Sequence, residues 1–146
     1  MGSIAAYLTD DHRTCDDLFS RAENAVSRGD LAAAGDSLAR FRAAIAVHFD
    51  REENVLFPAF ERATGTEHGP TAVMRAEHTQ IRALLDAIDA ALDACDGPRA
   101  SGLCESLAVL IQQHNMKEEQ ILYPASDASI PDAAGLIVRM QSIATA

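Results

Sequence analysis

The chain has 146 residues, 22 acidic against 12 basic, a formal net charge of −10 and a sequence pI near 4.7. That balance argues against nucleic acid or an anionic membrane as partner, because both require Lys and Arg to neutralise phosphate. One domain of this length buries a working core without staples, and alanine-rich apolar content without period-two β-branched runs points to an all-α class.

The first predicted helix runs from about Ser3 or Thr9 to Ser27, with Leu8, Cys15, Leu18, Phe19, Ala22 and Val26 forming its apolar stripe. Asp30 is the expected cap of a second helix reaching about Ala63, whose inner face carries Leu38, Phe41, Ile45, Phe49, Leu56 and Phe60. Pro70 and Thr71 open a third, and the DGP turn at 96–98 precedes a fourth that begins between Pro98 and Ser101. Pro131 is expected to start a short fifth helix, about 131–144, that packs on the bundle through Leu136, Ile137, Met140 and Ile143. Pro58 and Pro124 each remove a helical hydrogen bond at a cost of about 3 kcal/mol, so each predicts a kink or a stop.

His12, His48 and Glu52 reappear 66 positions later as His78, His114 and Glu118. The match is wider than these residues: HFDREENVLFPA (48–59) and HNMKEEQILYPA (114–125) share His, both glutamates, a β-branched residue, Leu, an aromatic, Pro and Ala in register. This is an internal duplication. In an antiparallel hairpin, residues equidistant from the turn sit at one height. His12 and His48 have their midpoint at Asp30, His78 and His114 at Asp96, and His48 and His78 beside the connection TGTEHGP. All four histidines therefore fall at one level of an up-down-up-down four-helix bundle. In each HxxxE the side chains are i and i+4, on one face, and the two glutamates approach the axis from diagonal helices. His12, His48, Glu52, His78, His114 and Glu118 are thus predicted metal ligands, two histidines and one oxygen of each glutamate to each of two ions. Burying four imidazoles and two carboxylates with no ion among them costs several kcal/mol per unpaired charge.

The remaining candidates receive plainer readings. Glu53 and Glu119, at i+5, turn away from the His face and are expected in supporting or surface roles rather than as ligands. Tyr7 and Tyr123 either hydrogen-bond a bridging glutamate, fill an open coordination position or pack, and Met74 and Leu8 are equivalent under the repeat and expected in the core. His68 belongs to the exposed loop. Cys15 reads as a small buried hydrophobe, while Cys95 and Cys104 form no CxxC pair and are expected as free thiols, which fits a reducing, cytoplasmic compartment. The opening MGSIAAYLTDD lacks the basic and apolar regions of a secretory signal, and no stretch approaches a membrane span.

A single His in a DHR context, HxxxEE before VLFP, a single His in EHT and HxxxEE before ILYP together resemble the hemerythrin-like, or HHE cation-binding, family, over residues 4 to about 126. The resemblance implies a non-haem di-iron centre: two iron ions bridged by two carboxylates and an oxo or hydroxo group, with the same six residues as ligands. The oxygen carriers of that family have HxxxH on the third helix, where this chain has Met74, and an Asp five residues after the last His, where it has Glu119. The pattern is closer to the four-His, two-Glu members, which include iron-sensing domains and iron-centre-repair proteins, although the extra late histidine of the repair type in the first helix is missing. Residues 1–146 then form a single hemerythrin-like domain. Its expected function is to bind or sense O2, NO or iron and redox state. The alternatives are a di-iron enzyme acting on peroxide or NO or donating iron for cluster repair, and a structural bundle holding zinc or another divalent ion, since His and carboxylate do not select iron by themselves.

Overall fold

The computed structural model describes residues 2–143, and every regular element among them is helical. In chain order these are α1 (Ile4–Ser27), α2 (Leu31–Arg51), a π-helical turn π1 (Glu52–Leu56), α3 (Phe57–Thr64), α4 (Pro70–Asp93), α5 (Gly97–Lys117), a second π-turn π2 (Glu118–Leu122), α6 (Tyr123–Ser129) and α7 (Ala133–Gln141). The segments α2, π1 and α3 form one continuous rod, as do α5, π2 and α6, so the bundle has four long members, and α7 packs against it through buried Leu136 and Met140.

The predicted cap at Asp30 holds, accepting from the Ala33 N–H. Ser3 Oγ accepts from the Ala6 N–H, which selects the earlier of the two expected starts of the first helix, and Asp96 accepts from Arg99, so that the fourth long helix starts at Gly97, one residue before the expected range. The turns α1–α2 and α4–α5 are the same motif twice. Asp30 N–H bonds Ala25 O and Gly29 N–H bonds Val26 O; 66 residues on, Asp96 N–H bonds Ala91 O and Cys95 N–H bonds Leu92 O. These are the paired bonds of a Schellman motif, which needs a left-handed residue at its centre. Gly29 supplies it at φ 74°, and Cys95 is forced into it at φ 55°. The short helix starts at Ala133, later than Pro131, because Asp132 accepts from Gly135 N–H and is the cap. Its expected end, residue 144, lies outside the described residues, and Ile143 falls past the end of α7.

Neither proline stops its helix. Phe57 N–H reaches back five residues to Glu52 O, and Tyr123 N–H does the same to Glu118 O, so each rod widens by one residue as it passes a glutamate. In that register Pro58 would have donated to Glu53 O, and the guanidinium of Arg75 lies 3.4 Å from this carbonyl instead.

The polar residues interrupt the core at one level. Along α1, Ile4 and Leu8 belong to one apolar cluster, His12 follows, and Cys15, Phe19 and Ala22 belong to another; α4 passes Met74, His78 and Ile81 in the same order. The layer is thus sealed between a cluster toward the Gly29 and Cys95 turns and a cluster toward α3, α6 and α7. Asp127 of α6 closes that second end, taking the N–H groups of Ile4 at 2.8 Å and Ala5 at 3.1 Å at the start of α1. Among the described residues no helix is long and apolar enough to cross a membrane.

Candidate metal centre

The structure brings all six predicted residues together, and none is more than 3% exposed. α1 delivers His12, the end of α2 His48, π1 Glu52, α4 His78, the end of α5 His114 and π2 Glu118. Their donor atoms form two groups, each within 4.8 Å throughout: His12, His48, Glu52 and Glu118, and Glu52, His78, His114 and Glu118. Both glutamates belong to both groups, the arrangement expected of shared carboxylates on diagonal helices.

Each imidazole is held from behind by a carboxylate at Nδ1. His12 meets Glu119 at 2.6 Å, His48 meets Asp11 at 3.1 Å, His78 meets Glu53 at 2.5 Å and His114 meets Glu77 at 2.8 Å. Each Nδ1–H donates to a carboxylate, which turns the Nε2 lone pair inward and makes it more basic. Glu53 and Glu119 therefore fill the supporting role expected of them. Asp11 and Glu77 escaped the sequence reading, as did the cations behind them, Arg51 on Asp11 at 2.9 Å and Lys117 on Glu77. Their signal was present: an acidic residue precedes His12 and His78, and a cation follows His48 and His114 by three in each repeat. Arg51 also donates to Met140 O and Ile143 O, tying the segment around α7 to the same chain of bonds.

Tyr123 is wholly buried, and its hydroxyl donates to Glu52 Oε2 at 2.6 Å while lying 3.0 Å from Glu118 Oε1 and from His12 Nε2. Of the readings open for it, the hydrogen bond to a central glutamate is the one seen. Tyr7 stays outside the centre, its ring facing the Arg51 guanidinium at 5.5 Å. Met74 and Leu8 are core residues, His68 is exposed, and Cys15, Cys95 and Cys104 are free, with Cys15 buried as expected.

Electrostatics follow from the packing. Burial alone would depress His12, His78 and His114, but the surrounding carboxylates outweigh it and raise all three, His114 to about 9. Burial and the Glu118 charge raise the Glu52 carboxyl. Burial acts the same way on Glu118, yet its closeness to Glu52, His114 and His12 holds it well below the usual range. Burial and the two carboxylates push the Tyr123 phenol well above its ordinary value. Protons thus neutralise a cluster whose carboxylates would otherwise repel.

The donor set fits metal ions. Glu52 Oε1, His78 Nε2, His114 Nε2 and Glu118 Oε2 are buried without a hydrogen bond, all facing the centre. Four such atoms are costly unless a cation satisfies them together, and nitrogen and carboxylate oxygen are the donors of a mid-hardness divalent or trivalent ion.

A helical bundle with four histidines and two shared glutamates across its interior is built to hold metal. The chain matches the hemerythrin HHE cation binding domain over residues 3–126 and belongs to that family. It is also similar to the iron-sulfur cluster repair protein YtfE of Edwardsiella ictaluri (strain 93-146), at 36% identity over 87 residues, which cover 53% of this chain and 39% of the relative. No solved structure matches the chain.

Proposed function

We propose that the chain is a non-haem di-iron protein that binds or senses O2, NO or iron and redox state. His12 and His48 would hold one ion, His78 and His114 the other, and Glu52 and Glu118 would join the two. The observation that carries this reading is that both glutamates belong to both donor groups, an arrangement that serves two ions and is excessive for one. Bound iron would supply the redox and small-ligand chemistry. The chain's own residues orient the imidazoles, through Glu119, Asp11, Glu53 and Glu77, and exclude bulk water. The acidic surface favours no nucleic acid, and the free cysteines suit a reducing cytoplasm.

Likeness to a repair protein favours a second reading, in which the centre donates iron to damaged clusters. Metal analysis of protein purified without added metal, with optical spectra under O2, peroxide and NO, tests both. About two iron ions per chain and a reversible spectral response to O2 or NO are expected. Iron transfer to a cluster-deficient acceptor without such a response favours repair, and one tight zinc with no iron sinks both readings.

A further inference from the structure

The two halves of the centre are related by the 66-residue repeat, but Tyr123 has Phe57 as its counterpart. The Tyr123 oxygen lies 2.6 Å from Glu52 Oε2, 3.0 Å from Glu118 Oε1, 3.0 Å from His12 Nε2 and 3.5 Å from His48 Nε2. These are the four residues of one donor group. Donor atoms about 2.1 Å from a single ion lie about 3 Å apart along the edges of its coordination polyhedron. An oxygen at that spacing from all four is therefore placed as a fifth corner. In the other half Phe57 stands 5.6 Å from the His78 ring, centroid to centroid, and offers no donor atom.

From this geometry we infer that Tyr123 is a fifth protein ligand to the ion held by His12 and His48, so that the two metal positions are chemically unequal. The inference rests on the di-iron reading above and deepens it. Coordination replaces the phenol proton, which leaves to solvent, with a bond from the phenolate oxygen to the ion. Five protein donors then serve one position and four the other. The proposal needs no rearrangement of the backbone, because π2 already turns Tyr123 inward from the residue following that turn.

The chain has two tyrosines, so a tyrosine signature can come only from Tyr7 or Tyr123. Iron(III)-loaded protein is expected to show a visible phenolate-to-iron charge-transfer band, with tyrosine ring modes in resonance Raman that shift when the chain is grown with ring-deuterated tyrosine. Tyr123→Phe is expected to abolish these modes in whatever iron the variant retains, and Tyr7→Phe to keep them. The isotope shift, retained in Tyr7→Phe, decides the matter even where Tyr123→Phe folds poorly. Fully iron-loaded protein without tyrosine modes overturns this inference and leaves the di-iron reading standing, as does persistence of the modes in Tyr123→Phe. A chain that takes up no iron overturns both.

Discussion

The two halves of the centre share their donor residues and the carboxylates behind them, and differ in what packs around these. On the His78 side, Phe49 stacks on the imidazole at 3.6 Å and Phe57 lies at 5.6 Å. Arg82 holds Glu53 through a 3.0 Å ion pair and covers Phe49, while Arg75 covers Phe57. On the His12 side the repeat counterparts of Phe49, Phe57 and Arg82 are Asn115, Tyr123 and Asp16. Glu119 there has no cation equivalent to Arg82, and with Asp16 and Asn115 it lines a surface groove of about 470 Å³ between α1 and α5. Duplication thus preserved the donors and the carboxylates behind them, whereas divergence made one half apolar and closed and the other polar and adjacent to solvent. On the di-iron proposal, the first set would determine whether metal binds and the second how each position behaves.

The largest expected effect tests the shared donors. Glu118→Ala and Glu52→Ala should each take iron from about two ions per chain to near none, because each carboxylate serves both halves. His12→Ala should leave roughly one ion, held by the unaltered half. Iron per chain measured on the three variants checks this, and a Glu119→Ala protein that loses all iron while Glu118→Ala keeps it would move the ligand on π2 by one residue.

Next is the pH dependence of the metal-free protein. In the fold His114 is raised to about 9, against about 6.5 when unfolded, so its contribution to stability is complete below 6.5 and is lost as pH rises through 9. That loss is roughly 3 kcal/mol. Metal affinity runs the other way, since the same protons must leave for iron to bind, and it should fall as pH drops below 9. Urea unfolding in chelator at intervals from pH 6 to 10 should show the decline, and His114→Gln should flatten it. A metal-free protein that gains stability over this range contradicts the proton-filled centre.

The carboxylates behind the histidines sharpen the contrast between halves. Glu53→Ala removes the partner of an imidazole enclosed by aromatic rings, whereas Glu119→Ala removes a 37% exposed carboxylate whose place water can take. Such partners are worth about 10- to 100-fold in metal affinity. Glu53→Ala is expected at the upper end and Glu119→Ala at the lower, read by competition with a coloured chelator, and the reverse order would mean that the groove does not hydrate His12.

The smallest effect belongs to the two turns. Gly29 occupies the left-handed position of the first without strain, and Cys95 occupies that of the second with a side chain. Relief of about 1 to 2 kcal/mol of strain, less the extra unfolded-state entropy of glycine, leaves Cys95→Gly more stable by about 0.5 to 1 kcal/mol. Thermal unfolding of the metal-free protein measures it.

The duplication made much of this readable in one dimension. A histidine on each long helix, matched midpoints at Asp30 and Asp96, and i,i+4 spacing within HxxxE are statements about distance along rods of known rise, so sequence alone determined the helix count, the common level of the histidines and the six converging residues. Asp11 and Glu77 were legible as an acidic residue preceding each single histidine, but only once the bundle showed that this position faces the next helix and the Nδ1 of His48 or His114. Tertiary structure alone decided what Pro58 and Pro124 do. A missing N–H predicts a broken bond, and whether the helix kinks, stops or widens depends on whether a neighbour such as Arg75 satisfies the freed carbonyl. It also decided the difference between halves, because Phe49 and Asn115, or Phe57 and Tyr123, acquire opposite meanings only when each is packed against a particular imidazole in the closed bundle.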